Sequence, residues 1–257
     1  MTTYRIPYAG SEIDLVVEER GEGQPFLLLH GGAGPASMAR FANLLVERHQ
    51  VRVITPTYPG FAGTPRPDEL RIVKDLAQVY AALLDRLGLS DVTVIGNSIG
   101  GRIAAEMALL ATPQVSGIVL VDAVGIEVAG HPITDISKLT PDEVMRLSYH
   151  DPKPFRIDPA SVTDTQRAIM AANRASLFVY AGPQMTDPSL VGRLAKIAIP
   201  TLVVWGESDG IVDTEYGRAF AAAIPGAKFL LLSGTGHVPQ VETPEKLLDA
   251  IWNYGKD

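Results

Sequence analysis

The run Val92-Thr93-Val94-Ile95 leads directly into Gly96-Asn97-Ser98-Ile99-Gly100-Gly101, and a helical pattern starts at once. This is G-x-S-x-G between a strand and a helix, the setting in which a sharp turn holds a serine hydroxyl clear of the sheet edge. Glycines flank the serine because strand and helix pass so closely there that a Cβ would clash. The first amides of the new helix favour negative charge beside Ser98. The chemistry implied is nucleophilic attack by a hydroxyl.

Serine is a poor nucleophile at neutral pH and needs a base, which needs an orienting carboxylate. Of the five histidines, His49 falls at the end of a surface helix pattern, and His131 and His150 fall in a helical stretch. His237 lies in Ser233-Gly234-Thr235-Gly236-His237-Val238-Pro239, between the apolar run 229–232 and the last helix, and fits the base best. Asp209 is the favoured acid, in a turn after Leu202-Val203-Val204-Trp205, with Glu207, Asp213 and Asp122 as rivals. The remaining histidine opens His30-Gly31-Gly32-Ala33-Gly34-Pro35, a loop whose small residues let backbone N–H groups approach a substrate oxygen. His30 itself reads as structural, fixing that loop by a hydrogen bond.

The elements that must position these groups follow from hydrophobic patterning. Residues 13, 15 and 17 alternate with acids as a half-buried antiparallel strand, and residues 4–8 can pair with it across Ala9-Gly10-Ser11. The runs 26–29, 51–54, 92–95, 118–121, 202–205 and 229–232 are mostly continuous apolar stretches, suited to parallel strands covered on both faces. Helical periodicity marks 70–87, 99–110, 215–224 and 245–252. Such alternation predicts an α/β fold with a mostly parallel central sheet. Residues 121–201 break the rhythm, with prolines, a capped helix start at Thr140-Pro141 and an apolar helical face over 168–178.

Composition narrows the function classes. The 257 residues carry 22 basic and 29 acidic side chains, a net charge of −7 that disfavours nucleic-acid binding. With no cysteine, a thiolate nucleophile, a disulfide framework and thiolate-bound zinc are excluded. The first residues lack the pattern of a secretory signal, and no apolar run reaches membrane-spanning length, so a cytoplasmic protein off the membrane is expected.

Taken together, His30-Gly31-Gly32, Gly96 to Gly101, Trp205-Gly206-Glu207-Ser208-Asp209 and Gly236-His237 resemble the α/β-hydrolase superfamily along essentially the whole chain. Tyr58-Pro59-Gly60-Phe61-Ala62-Gly63-Thr64 resembles that family's loop after the next core strand, without the usual preceding acidic residue. The resemblance implies a core of residues 1–122 and 198–257, and a helical cap, 123–197, inserted after the sixth core strand. It also implies an oxyanion hole from the amides of Ile99 and of Gly32 or Ala33, Gly32 first.

The expected activity is hydrolysis of a small, apolar carboxylic ester by Ser98, Asp209 and His237, with no metal or organic cofactor. Ala33, Val238, Met170 and Phe178 are candidates for the substrate pocket. One alternative is C–C bond hydrolysis of a ring-fission product, with Arg102, Arg174 or Arg193 clamping its carboxylate. Another is a slow-turnover ligand receptor. A homodimer is left open.

Overall fold

The computed structural model describes residues 1–254; positions 255–257 of the expected core segment lie outside it. In chain order the elements are β1 (Thr2–Tyr8), β2 (Ser11–Arg20), β3 (Gln24–Leu29), α1 (Ala39–Arg48), β4 (Val51–Pro56), α2 (Val73–Arg86), β5 (Val92–Asn97), α3 (Ile99–Leu109) and β6 (Val115–Val121). They continue with α4 (Pro141–Ser148), α5 (Asp164–Ala181), α6 (Leu190–Leu194), β7 (Thr201–Gly206), α7 (Thr214–Ala222), β8 (Lys228–Leu232), α8 (Pro239–Glu242) and α9 (Pro244–Tyr254).

All eight strands form one sheet in the order β1-β2-β4-β3-β5-β6-β7-β8. The opening hairpin pairs Ile6 with Ile13 antiparallel, and its turn uses positive φ at Ala9 and Gly10, the twist that tight hairpins favour. β2 runs antiparallel to β4, and every pair from β4 across to β8 is parallel. The continuous apolar runs are explained by cover on both faces. In β3, Leu27 and Leu29 join the core formed with α2, α3 and α7, whereas Phe26 and Leu28 join the one formed with α1 and α9. β8 departs from that expectation: it is the edge strand, and Leu231 is exposed.

The described residues between β6 and β7 contain helices and turns but no strand. α4 begins with the expected cap at Thr140, and the cap is a capping box, Thr140 and Glu143 each satisfying the other's amide. α5 buries Asn173, Ser176, Leu177 and Tyr180, which share one face at helical spacing. Three of these hook onto the loop after β4: Ala62 N donates to Asn173 Oδ1 at 2.9 Å, Ser176 Oγ to Gly60 O at 3.1 Å and Tyr180 Oη to Pro59 O at 2.9 Å. Further on, Arg193 grips Glu106 of α3 through two bonds of 2.6 and 2.7 Å and Asp187 at 2.8 Å. Among the described residues no helix is long and apolar enough to cross a membrane.

Candidate active site

β5 ends at Asn97, and α3 begins at Ile99, so Ser98 alone makes the turn, at φ 57° and ψ −119°. A non-glycine residue there carries on the order of 1–3 kcal/mol of strain, which the surroundings must impose. They do so by close approach. A Cβ on Gly96 would stand 2.1 Å from Gly100 O, and one on Gly100 would stand 2.2 Å from Leu29 O. Ser98 N donates to Val121 O at 2.9 Å, fixing the turn to β6.

The sequence's favoured base and acid meet. His237 Nδ1 lies 2.7 Å from Asp209 Oδ2, and both residues are buried. Asp209 Oδ1 accepts the amides of Ile211 at 2.7 Å and Val212 at 3.1 Å, so its own turn fixes where the carboxylate points. A carboxylate at Nδ1 calls for the tautomer protonated there, which leaves Nε2 as an acceptor. Asn97 Nδ2 donates to His237 O at 2.8 Å, joining His237 to the residue that precedes Ser98. From the inserted segment, Ser148 O accepts His237 N at 2.8 Å and Leu147 O accepts Gly210 N at 2.9 Å. The end of α4 thus braces both the Asp209 loop and the His237 loop.

The rival acids are otherwise engaged. Glu207 accepts Gly234 N at 3.1 Å, while Asp213 caps α7 at Tyr216 N and sits 2.7 Å from His131 Nδ1. Asp122 accepts Gly206 N at 2.7 Å. Of the other histidines, His150 contacts Ser208 Oγ at 2.8 Å and His49 stacks on Trp252. Asp122, Asp209 and His237 are, among the described residues, the only group of three or more acids and histidines close enough to share an ion, but Asp209 already accepts three N–H groups. That donor set suits proton handling.

His30 is fully buried, stacks on Tyr58 with ring centroids 3.6 Å apart, and donates from Nδ1 to Gly31 O at 2.7 Å. Its Nε2 accepts Tyr58 N at 3.3 Å, and burial lowers its pKa to about 3. The neutral ring is therefore a fastener for the loop. That loop closes a turn from Gly34 N to Gly31 O at 3.1 Å, whose bond uses neither the Gly32 nor the Ala33 amide. A Cβ on Gly31 would stand 3.2 Å from Ser98 Cβ, and one on Gly32 2.9 Å from Leu177 Cδ2. The loop is thus pressed between the serine turn and α5. Ile99, at the first helical position, has an amide without an intrahelical acceptor.

The four expected pocket residues part company. Val238 is buried beside His237, whereas Ala33 is exposed on its turn. Met170 is 49% exposed, one helical turn before Asn173. Phe178 lines a separate cleft of about 340 Å³ with Ile126, Val128, Met185 and Tyr216, and no member of the Ser98, Asp209, His237 set borders it. Leu177, the neighbour of Phe178, is the side chain over the glycine loop. Sequence reasoning missed Leu177, Asn97 and also Gln240, whose Nε2 donates to Asn97 Oδ1 at 3.0 Å. The asparagine inside the G-x-S-x-G motif was the one available signal.

Residues 26–250 match the alpha/beta hydrolase family, and the chain belongs to that family of enzymes. It is 28% identical to a 2-hydroxy-6-oxo-6-(2'-aminophenyl)hexa-2,4-dienoic acid hydrolase of Metapseudomonas resinovorans, across 92% of this chain and 85% of that one. It is 27% identical to Lipase 1 of Psychrobacter immobilis, across 91% of this chain and 78% of that one. Among solved structures, a thermophilic esterase from Thermogutta terrifontis superposes with a TM-score of 0.78 at 24% identity, covering 100% of this chain and 98% of that one.

Proposed function

We propose that this enzyme is a cytoplasmic serine hydrolase of small, apolar carboxylic esters, with Ser98 as nucleophile, His237 as general base and Asp209 as its orienting acid. The observation that carries the reading is the Asp209–His237 pair at 2.7 Å, tied through Asn97 to the strained Ser98 turn. Ser98 Oγ attacks the ester carbonyl while His237 Nε2 takes its proton. The amides of Ile99 and Gly32 receive the oxyanion, each such donor being worth about 3 kcal/mol. His237 then protonates the leaving alcohol, and water releases the acyl group by the same proton path.

The dienoic acid hydrolase among the relatives raises C–C bond hydrolysis as the competing reaction. Such a substrate carries a carboxylate that needs a cationic or polar clamp. The three arginines considered for that task are engaged elsewhere. Arg102 donates to Ala181 O, Arg193 is held by Glu106 and Asp187, and Arg174 bonds Ile136 O. This favours the ester.

The test has two arms. Ser98→Ala is expected to abolish hydrolysis of p-nitrophenyl acetate and butyrate while circular dichroism stays unchanged, and a phosphonylating reagent is expected to label Ser98 alone. Turnover by folded Ser98→Ala overturns the assignment. A ring-fission dienoate cleaved faster than either ester overturns the choice of substrate class.

A further inference from the structure

Asp122 is the first residue after β6, has no exposed surface, and is held at φ 46°. Its backbone amide donates to Val204 O at 3.0 Å, and its Oδ1 accepts Gly206 N at 2.7 Å. Oδ2 is buried and has no hydrogen-bond partner among the described residues. One oxygen of Asp122, one oxygen of Asp209 and a ring nitrogen of His237 all lie within 4.8 Å of one another. The ionisable groups facing Asp122 are thus Asp209 from the loop after β7 and His237 from the loop after β8. Arg102, the nearest cation on α3 to the chain leaving β6, directs Nη1 to Ala181 O and Met185 O instead.

Two carboxylates this close cannot both ionise cheaply in a buried site, so one proton must be kept between them. Its location follows from the donors. Asp209 accepts three N–H groups, from Ile211, Val212 and the His237 ring, and Asp122 accepts one. The proton belongs on Asp122, whose uncommitted atom is Oδ2. Burial first, and then the charge of Asp209, push the Asp122 carboxyl well above the usual carboxylate range.

Resting on the hydrolase reading above, we propose that Asp122 is a positioning residue of the relay, a neutral acid that donates from Oδ2 to Asp209 and moderates the pull of Asp209 on the His237 ring. A hydrogen bond to Asp209 disperses its charge and keeps the imidazolium from becoming too stable to return its proton. The substrate never touches Asp122. Its positive φ fits this placement, because strained backbone persists where surrounding structure fixes a side chain.

The test is the pH dependence of kcat/KM for p-nitrophenyl acetate in Asp122→Asn and Asp122→Ala. Asparagine keeps an acceptor for Gly206 N and a neutral donor for Asp209. Its acid limb is expected within about 0.3 pH unit of the parent's, with most of the activity lost in the alanine variant recovered. Alanine removes the donor, so His237 becomes more basic: the limb is expected to rise by about half a unit or more, and kcat to fall about tenfold or more.

An ionised Asp122 gives the opposite sign, since Asp122→Asn would then delete a negative charge beside the imidazolium and drop the limb by about a unit or more. That result, or an alanine variant with the parent's profile, overturns the proposal. If the alanine variant does not fold, the asparagine profile decides alone. Turnover surviving in Ser98→Ala would remove the underlying hydrolase reading, and neither Asp122 variant produces that outcome.

Discussion

Asn97 and His237 are 140 residues apart in the chain, yet the Asn97 amide donates to the His237 main-chain oxygen at 2.8 Å. The bond crosses from the end of β5 to the loop after β8, and Gln240 holds the other side of the Asn97 amide at 3.0 Å. The residue before Ser98 therefore sets where the loop carrying His237 stands.

Replacing Asn97 with Ala removes the donor to His237 O and leaves buried groups unpaired. A loss of about 1–3 kcal/mol in stability is expected from that desolvation. A mislocated base of this kind lowers kcat about 10²-fold, with the larger change in kcat rather than KM. Steady-state kinetics together with urea unfolding check both halves. Unchanged kcat in a destabilised protein would show that the tie serves only the fold.

His30 gives a pH dependence with a definite sign. Its pKa in the folded chain is lowered to about 3 from an ordinary 6.5, because the buried ring cannot easily hold a charge. The unfolded chain therefore binds the extra proton first. The stability that the neutral ring contributes is complete above pH 6.5 and falls with pH from 6.5 toward 3, by roughly 1.4 kcal/mol per unit. Unfolding at pH 7.5 and pH 5 is expected to show about 2 kcal/mol more loss in the parent than in His30→Gln, whose side chain has no such titration. Parallel losses in the two proteins would place the titration elsewhere.

Leu177 faces the glycine loop, and a Cβ on Gly32 would come within 2.9 Å of its Cδ2. Gly32→Ala is expected to push the loop or the leucine and to lower kcat/KM. Leu177→Ala opens the same space at a cost of about 2–5 kcal/mol in stability. Combined, the two changes are expected to recover part of the activity lost by Gly32→Ala alone, a non-additivity read from the four kcat/KM values. Strict additivity would mean that the two positions do not meet.

Much of the fold is legible in the sequence because it is local. The run 92–95 is apolar at three of four positions since both faces of β5 are covered, and the glycines after it have no room for a Cβ. Less legible are contacts that join distant segments. The buried face of α5 includes polar Asn173 and Ser176, which periodicity reads as solvent-facing; both bond the loop after β4. Leu177 and Phe178 are adjacent and both apolar, but successive helical positions turn about 100°, so one covers the glycine loop and the other lines a different cleft. Glu207, Asp209 and Asp213 lie within one short stretch. The amides of Ile211 and Val212, and the contact with His237 Nδ1, set Asp209 apart from the other two.

The brace from α4 is open to a direct test through Gly236. A Cβ there would stand 2.4 Å from Ser148 O and 2.8 Å from Tyr149 Cα, both backbone atoms with little room to yield. Gly236→Ala must therefore separate the His237 loop from the end of α4 and strain the bond from His237 N to Ser148 O. A displacement of about 1 Å at the base costs on the order of 10²-fold in rate, whereas overpacking at one site costs about 1–3 kcal/mol in stability. The expected result is a folded protein with kcat/KM about 10²-fold down. Gly192→Ala is the matched control, because Gly192 sits in α6 with open space around its Cα. That change should raise stability by about 0.5–1 kcal/mol and leave the rate alone. Equal rates in the two variants would mean that the contact with α4 does not locate His237.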